Sequence, residues 1–496
     1  MDMLRVALIV LASVASSAWC APFELVIQGG RVMDPESGVD AVLNVGVNEG
    51  RIAAVSAENL EGAAEVDATG MVVAPGFIDL HAHGQDPRSN AFQAADGVTT
   101  ALELEQGVLP VAEWLEDMSG RSVTHYGAAS GHLAARIQLI TGTPVGNPVY
   151  AQGQLPAHGG SSYANADLEG EALAKLLSDL EAGLLEGGLG IGSGITYMPG
   201  ADHEEILALF QLAARYNVPV FTHIRQARHM GGDLLAPLQE VMANAAATGA
   251  SLHVVHINSS LDESARTAVE MIRGARSRGI DITTESYPYT AGSTRLESAL
   301  FENYQGDYGD LQWTETGERL TRETFEEYRA KGGWVIIHGR SEDTNRWLVA
   351  QPDIIVASDG VPFVGNFSHP RSAGTYARVL GRYVREDGAL DLMTALAKMT
   401  VEPARRLEGF APAMRRKGRL QKGADADIVV FDPETIIDQA TYALPARRSA
   451  GIQHVLVGGT FVVRDGEPVA GVFPGQAIRS EVSPSKTQVS GTAPAR

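Results

Sequence analysis

Gly76-Phe77-Ile78-Asp79-Leu80-His81-Ala82-His83-Gly84 joins an apolar run to two histidines one residue apart. In a strand, side chains two apart point the same way, so His81 and His83 project together and can reach one metal ion. A His-x-His pair alone is as often structural, and this one gains meaning from its place at the end of an apolar run that follows Ala74-Pro75. Strand-like runs ending in polar residues recur along the chain, at 72–83, 97–105, 123–130, 187–194, 218–224, 252–257, 280–286 and 354–359. Stretches at 203–216, 233–248 and 262–278 carry apolar residues at three- and four-residue spacing and read as helices. Strand alternating with helix eight times predicts an α/β fold, a (β/α)8 barrel whose chemistry sits at the C-terminal ends of the strands.

On either side of the barrel the texture is purely β. Runs at 23–29, 41–48, 52–55 and 71–73 precede it, and runs at 426–431, 454–457 and 460–464 follow it, separated by Gly, Asp and Pro turns. Chain ends that lie close together can build one domain, so a flanking β-sandwich is expected from residues 22–73 and 408–475, with the barrel over 74–407. An aromatic and acidic stretch at 300–333 reads as an insertion over the barrel mouth, and polar 476–496 as a flexible tail. At the start, Arg5, apolar 6–14 and Ala- and Ser-rich 15–21 read as a secretory signal peptide over residues 1–20. The apolar run is too short for the roughly 30 Å of a bilayer core, so a periplasmic or secreted protein without membrane insertion is expected.

Composition narrows the chemistry. The chain has 496 residues, 44% hydrophobic and 20% charged, which fits a folded soluble protein rather than a disordered or fibrous one. Its 39 basic against 60 acidic residues leave a net charge of −21, which repels phosphate backbones and makes nucleic acid a poor partner. The single cysteine, Cys20, excludes a disulfide framework and any thiolate cluster, so metal binding must use histidines and carboxylates.

Such residues stand at the ends of later strand runs. His223 ends Val220-Phe221-Thr222-His223, and His256 ends Val254-Val255-His256. Either alone reads as a core histidine, but with His81 and His83 they make a four-histidine set suited to one or two divalent metals. His253 has the opposite strand facing and is assigned to the core. Asp359, in Ala357-Ser358-Asp359-Gly360, ends the eighth run, where a carboxylate can act as general base on a metal-activated water.

This constellation resembles the amidohydrolase superfamily. Three segments narrow the resemblance to the N-acyl-D-amino-acid deacylase (D-aminoacylase) family: Tyr287-Pro288-Tyr289-Thr290-Ala291-Gly292-Ser293-Thr294, Ser368-His369-Pro370-Arg371 and Lys417-Gly418-Arg419-Leu420-Gln421-Lys422-Gly423-Ala424-Asp425. The resemblance implies zinc, with His223 and His256 as tight ligands, His81 and His83 at a second, weaker position and Asp359 as the base. It also implies that Tyr287, Ser293 and Arg371 hold the carboxylate of a small-molecule substrate, with Tyr197 in the pocket. His132 matches a family position and is assigned a structural or supporting role. Two departures stand out. Where the family places a bridging cysteine, this chain reads Gly97-Val98-Thr99-Thr100-Ala101-Leu102-Glu103-Leu104-Glu105, so Glu105 is proposed as the metal-ligating carboxylate and Glu103 as runner-up. Asn258 stands where the family has a substrate-binding lysine. The implied activity is hydrolysis of N-acyl-D-amino acids, with dipeptide or cyclic-amide hydrolysis, as in dihydroorotases and hydantoinases, as the alternative. Those relatives commonly take a bridging lysine or glutamate from the fourth strand, and 187–194 contains neither. Homo-oligomerisation is left open.

Overall fold

The computed structural model describes residues 23–150, 162–227 and 232–484; the expected signal peptide and residues 485–496 of the expected tail lie outside them. Eight parallel strands form the barrel: β1 (Phe77–Asp79), β2 (Val98–Val108), β3 (His125–Gly131), β4 (Ile191–Gly194), β5 (Pro219–His223), β6 (Ser251–Val254), β7 (Ile282–Ser286) and β8 (Ile355–Val356). They are hydrogen-bonded in sequence order, and a bridge between Ala82 and Gly360 brings the two edges together. Ile78, Leu80, Leu102, Leu104, Ala129 and Phe221 pack together, all of them buried. Helices such as His203–Tyr216, Ala236–Thr248 and Ala265–Arg276 pack their apolar stripes on the outside, against Val220, Leu252 and Val254.

The run at 72–83 is two strands, not one. Val72–Pro75 pairs antiparallel with Ile428–Phe431 in the flanking sheet, and the barrel strand begins only at Phe77. Gly76 makes the passage, donating its N–H to the Asp427 carbonyl at 2.9 Å. A Cβ at this position would lie 2.2 Å from Thr99, so only glycine fits between the two sheets. The flanking domain is built from both chain ends, its nine strands joined at this Val72–Pro75 pairing and enclosing Leu25, Ile27, Val45, Ile428 and Leu456.

The insertion begins earlier than its composition implied. Gly292–Arg295, Leu311–Trp313 and Trp334–Ile337 form a three-stranded antiparallel sheet with the helix Arg322–Lys331. It has a core of its own, with Phe301, Leu311, Trp313, Phe325 and Val335 packed together and Trp313 stacked on Tyr328 at 4.7 Å. The expected tail also needs correction, because it packs before residue 484. Ala477 bridges Tyr126, Ile478 donates to the Tyr126 carbonyl at 2.7 Å and is 1% exposed. Gly127 permits this, since a Cβ there would lie 2.8 Å from the Ile478 carbonyl. Among the described residues, no helix is long and apolar enough to cross a membrane.

Candidate active site

The C-terminal ends of five barrel strands bring ionisable side chains to one point. His81 and His83 follow β1, Glu105 lies in β2, His223 ends β5, His256 follows β6 and Asp359 follows β8. Two donor groups form there: His81, His83, Glu105 and Asp359, and Glu105, His223 and His256, each with ligand atoms within 4.8 Å of one another. Glu105 belongs to both. Its Oε2 lies 2.7 Å from His81 Nε2, 3.4 Å from His83 Nε2 and 3.8 Å from His256 Nε2, while Oε1 lies 3.3 Å from His223 Nδ1. Asp359 Oδ1 is 3.5 Å from both His81 Nε2 and His83 Nε2.

The ring nitrogens that face away from this point are held as metal-ligating histidines require. His81 Nδ1 meets Glu285 at 2.6 Å, His83 Nδ1 meets Glu103 at 2.9 Å and His256 Nδ1 meets the Ser260 hydroxyl at 3.2 Å. Glu103 therefore supports a histidine from behind, and Glu105 is the carboxylate that faces the cluster. Glu285 was missed in the sequence; its signal was a lone carboxylate inside the β-branched run of β7, Ile282-Thr283-Thr284. His253, read as a core residue, joins Glu285 at 3.0 Å and Thr283 at 2.7 Å, so it extends the support of His81 rather than only filling space.

Electrostatics suit a cation. Burial opposes ionisation of Glu105, but the four surrounding histidines hold its carboxyl well below the usual range. Burial would also strip protons from His81 and His83, yet the neighbouring carboxylates raise both well above an ordinary imidazole. A field that attracts protons to these nitrogens attracts a divalent metal in their place. Burial and then His256 lower His223 to about 4, leaving it a neutral ligand. Asp359 and His256 sit in left-handed backbone, with φ of 52° and 30°, a conformation that costs a non-glycine residue roughly 1–2 kcal/mol and marks functional sites.

A cavity of about 390 Å³ opens over the cluster. His83, Glu105, His223, His256 and Asp359 form its polar end; Leu133, Ile224, Leu300 and Trp334 are among its apolar walls. Tyr197 and Ser293 also line it, Tyr197 edge-on to His223 at 5.4 Å with its hydroxyl 3.1 Å from Thr294, and Ser293 donating to the Val335 carbonyl at 3.0 Å. Three expected substrate contacts, Asn258, Arg371 and Tyr287, do not line the cavity itself. Asn258 is 1% exposed and donates to the Tyr287 carbonyl and to Asn345, tying the ends of two strands together. Strand alternation does not extend to it, because the chain turns at His256 into the short helix Ile257–Leu261. Arg371 is buried beneath the floor, with Nη1 2.8 Å from Asp359 Oδ2 and its guanidinium 4.7 Å from the Tyr287 ring. Tyr287 is likewise buried, 1% exposed. His132 is enclosed by Ser193 at 2.9 Å and Glu205 at 2.6 Å, in agreement with its structural assignment.

A parallel barrel that gathers imidazoles around one shared carboxylate, with a further carboxylate above them, defines a class of metal-binding barrel enzymes. The chain belongs to the amidohydrolase family, whose signature spans residues 64–463. Over 494 residues it is 31% identical to N-acyl-D-glutamate deacylase from Alcaligenes xylosoxydans xylosoxydans, covering 93% of this chain and 97% of that one. D-aminoacylase from the same organism is 28% identical over 474 residues, covering 88% and 94%. The crystal structure of N-acyl-D-glutamate deacylase from Bordetella bronchiseptica, complexed with zinc and a phosphonate inhibitor that mimics the reaction's tetrahedral intermediate, superposes with a TM-score of 0.77 at 28% identity, over 92% of this chain and 100% of that one.

Proposed function

We propose that this protein is a metal-dependent hydrolase that cleaves the amide bond of N-acyl-D-amino acids. The observation that carries the reading is the meeting of two donor groups on Glu105, beside Asp359 and under a cavity sized for a small molecule. The donors fit zinc or another divalent metal: imidazoles and a carboxylate, with no thiolate, each non-facing nitrogen of His81, His83 and His256 already occupied. His223, His256 and Glu105 would hold one ion, and His81, His83 and Glu105 a second. When bound, such an ion acidifies a water and polarises the amide carbonyl.

The chain's own residues do the rest. Burial would raise the Asp359 carboxyl, but Arg371 and the histidines hold it below the ordinary range, so it is ionised at neutral pH, as a base must be. One Asp359 oxygen takes a proton from the attacking water and returns it to the departing amine. Arg371 Nε and the Tyr287 hydroxyl are buried with no hydrogen-bond partner among the described residues, donors beside Asp359 that a substrate α-carboxylate would complete. Tyr197 walls the cavity beside His223. The named activities of the relatives support an acylated D-amino acid as substrate, and β4 offers no lysine or glutamate of the kind seen in cyclic-amide hydrolases. The signal-peptide reading of residues 1–20 supports a periplasmic or secreted address.

Metal analysis of the purified protein, with kinetics on N-acetyl-D- and L-amino acids, dipeptides and hydantoins, tests the reading. Asp359→Asn is expected to retain the ion held by His223, His256 and Glu105 while losing about 10³-fold or more in kcat. Near-normal turnover in that variant removes Asp359 as the base, and turnover of only dipeptides or rings replaces the substrate class.

A further inference from the structure

The geometry points to Arg340 as the specificity-determining cation of the cavity, one that grips a second carboxylate on the amino-acid side chain and so selects N-acylated acidic amino acids; this rests on the deacylase reading above. Three other arginines reach or underlie the cavity, and each has a carboxylate of its own: Arg225 pairs with Glu240 at 3.0 Å, Arg295 pairs with Glu297, and Arg371 lies 2.8 Å from Asp359. Arg340 lines the cavity, yet among the described residues no carboxylate lies within ion-pairing distance of it. Its Nη1 donates to the Ile337 carbonyl at 2.8 Å and its Nη2 to the Ser259 hydroxyl at 2.8 Å, while Nε is buried with no hydrogen-bond partner among the described residues.

Two neutral acceptors fix the guanidinium in place without neutralising it. A half-buried cation in that state is ready for an anion, and a fixed planar fork binds a carboxylate best. Its position sets which carboxylate. Ser259 is next to Ser260, the hydrogen-bond partner of His256, so Arg340 stands at the His256 side of the cluster. The α-carboxylate donors, Arg371 and Tyr287, lie beneath the floor on the Asp359 side. Gly292 leaves the room required, since a Cβ there would come 3.0 Å from the Arg340 guanidinium.

The test compares kcat/KM for N-acetyl-D-glutamate and N-acetyl-D-leucine. The wild-type protein is expected to favour the acidic substrate. Arg340→Gln is expected to lower the acidic-to-neutral ratio by about tenfold to a hundredfold, chiefly through KM, with Arg340→Lys in between. Metal content of each variant shows that the centre is intact. If Arg340→Gln fails to fold, Gly292→Ala reads the same ratio by shifting the guanidinium, and a fall there supports the proposal. A wild-type preference for leucine, or an unchanged ratio in a metal-replete variant, overturns it while leaving the deacylase reading standing. A protein that cleaves hydantoins or dipeptides and neither acetylated amino acid overturns the deacylase reading itself.

Discussion

Lys398 shows what a single buried charge does in this chain. It lies in the helix Leu392–Met399, 0% exposed, and among the described residues its ammonium donates to the Val349 carbonyl alone. Burial lowers its pKa to about 7, against weak support from Asp353. The folded value is below the unfolded one, so stability is complete only above about pH 10 and falls as pH drops toward 7. Lys398→Met is therefore expected to raise Tm by about 2 °C at pH 7 even after leaving the Val349 carbonyl without its donor. The advantage should vanish near pH 10; thermal unfolding at the two pH values checks it, and a pH-independent gap would contradict the account. At this scale the sequence was readable where local geometry rules. His81, His83, Glu105, His223 and His256 stand at or just past strand ends and face the cluster, the His81 and His83 pair as alternation leads one to expect. It was unreadable where the partner is remote: nothing local to Glu285 announces His81, and nothing near Arg371 announces that it sits under Asp359 instead of across the cavity.

Elements succeed or fail by what meets at their ends. Gly76 is the joint between a flanking strand and β1, and its hydrogen atom occupies space where a methyl group would strike Thr99 Cγ2, Oγ1 and Cβ. Gly76→Ala should cost about 1–3 kcal/mol, read as a lowered denaturation midpoint. Thr99→Ala in the same chain removes two of the three clashing atoms and should recover part of that loss. Additive losses in the double variant would place the defect elsewhere. The strand positions were legible because apolar runs ending in polar residues recur regularly. The split at Gly76 was not, because 72–78 is apolar throughout while its hydrogen-bond partners change from Ile428–Phe431 to β2. The strap at 476–484 was hidden for a similar reason, since Ala477, Ile478 and Val482 among polar residues are too few to set a period.

At the scale of the whole molecule, the metal centre is a fastening. Its candidate ligands come from five of the eight strand ends and from positions as far apart in the chain as His81 and Asp359. Without an ion, these residues bring four imidazoles and several carboxylates into a buried space, where His81 and His83 are held together by protons raised onto them by the surrounding carboxylates. That proton-based fastening weakens as pH rises through the raised values, because the unfolded imidazoles have already released their protons near pH 6.5. An ion takes over where protons leave, since it binds the deprotonated nitrogens. Stripping the protein with a chelator should therefore lower Tm more at pH 9 than at pH 7, and zinc should restore it at both. Binding at a thousandfold excess over Kd is worth about 4 kcal/mol, enough to shift the transition measurably. Equal Tm values with and without metal at pH 9 would mean that the barrel closes through its hydrogen-bonded strands alone and that the cluster contributes chemistry but no stability.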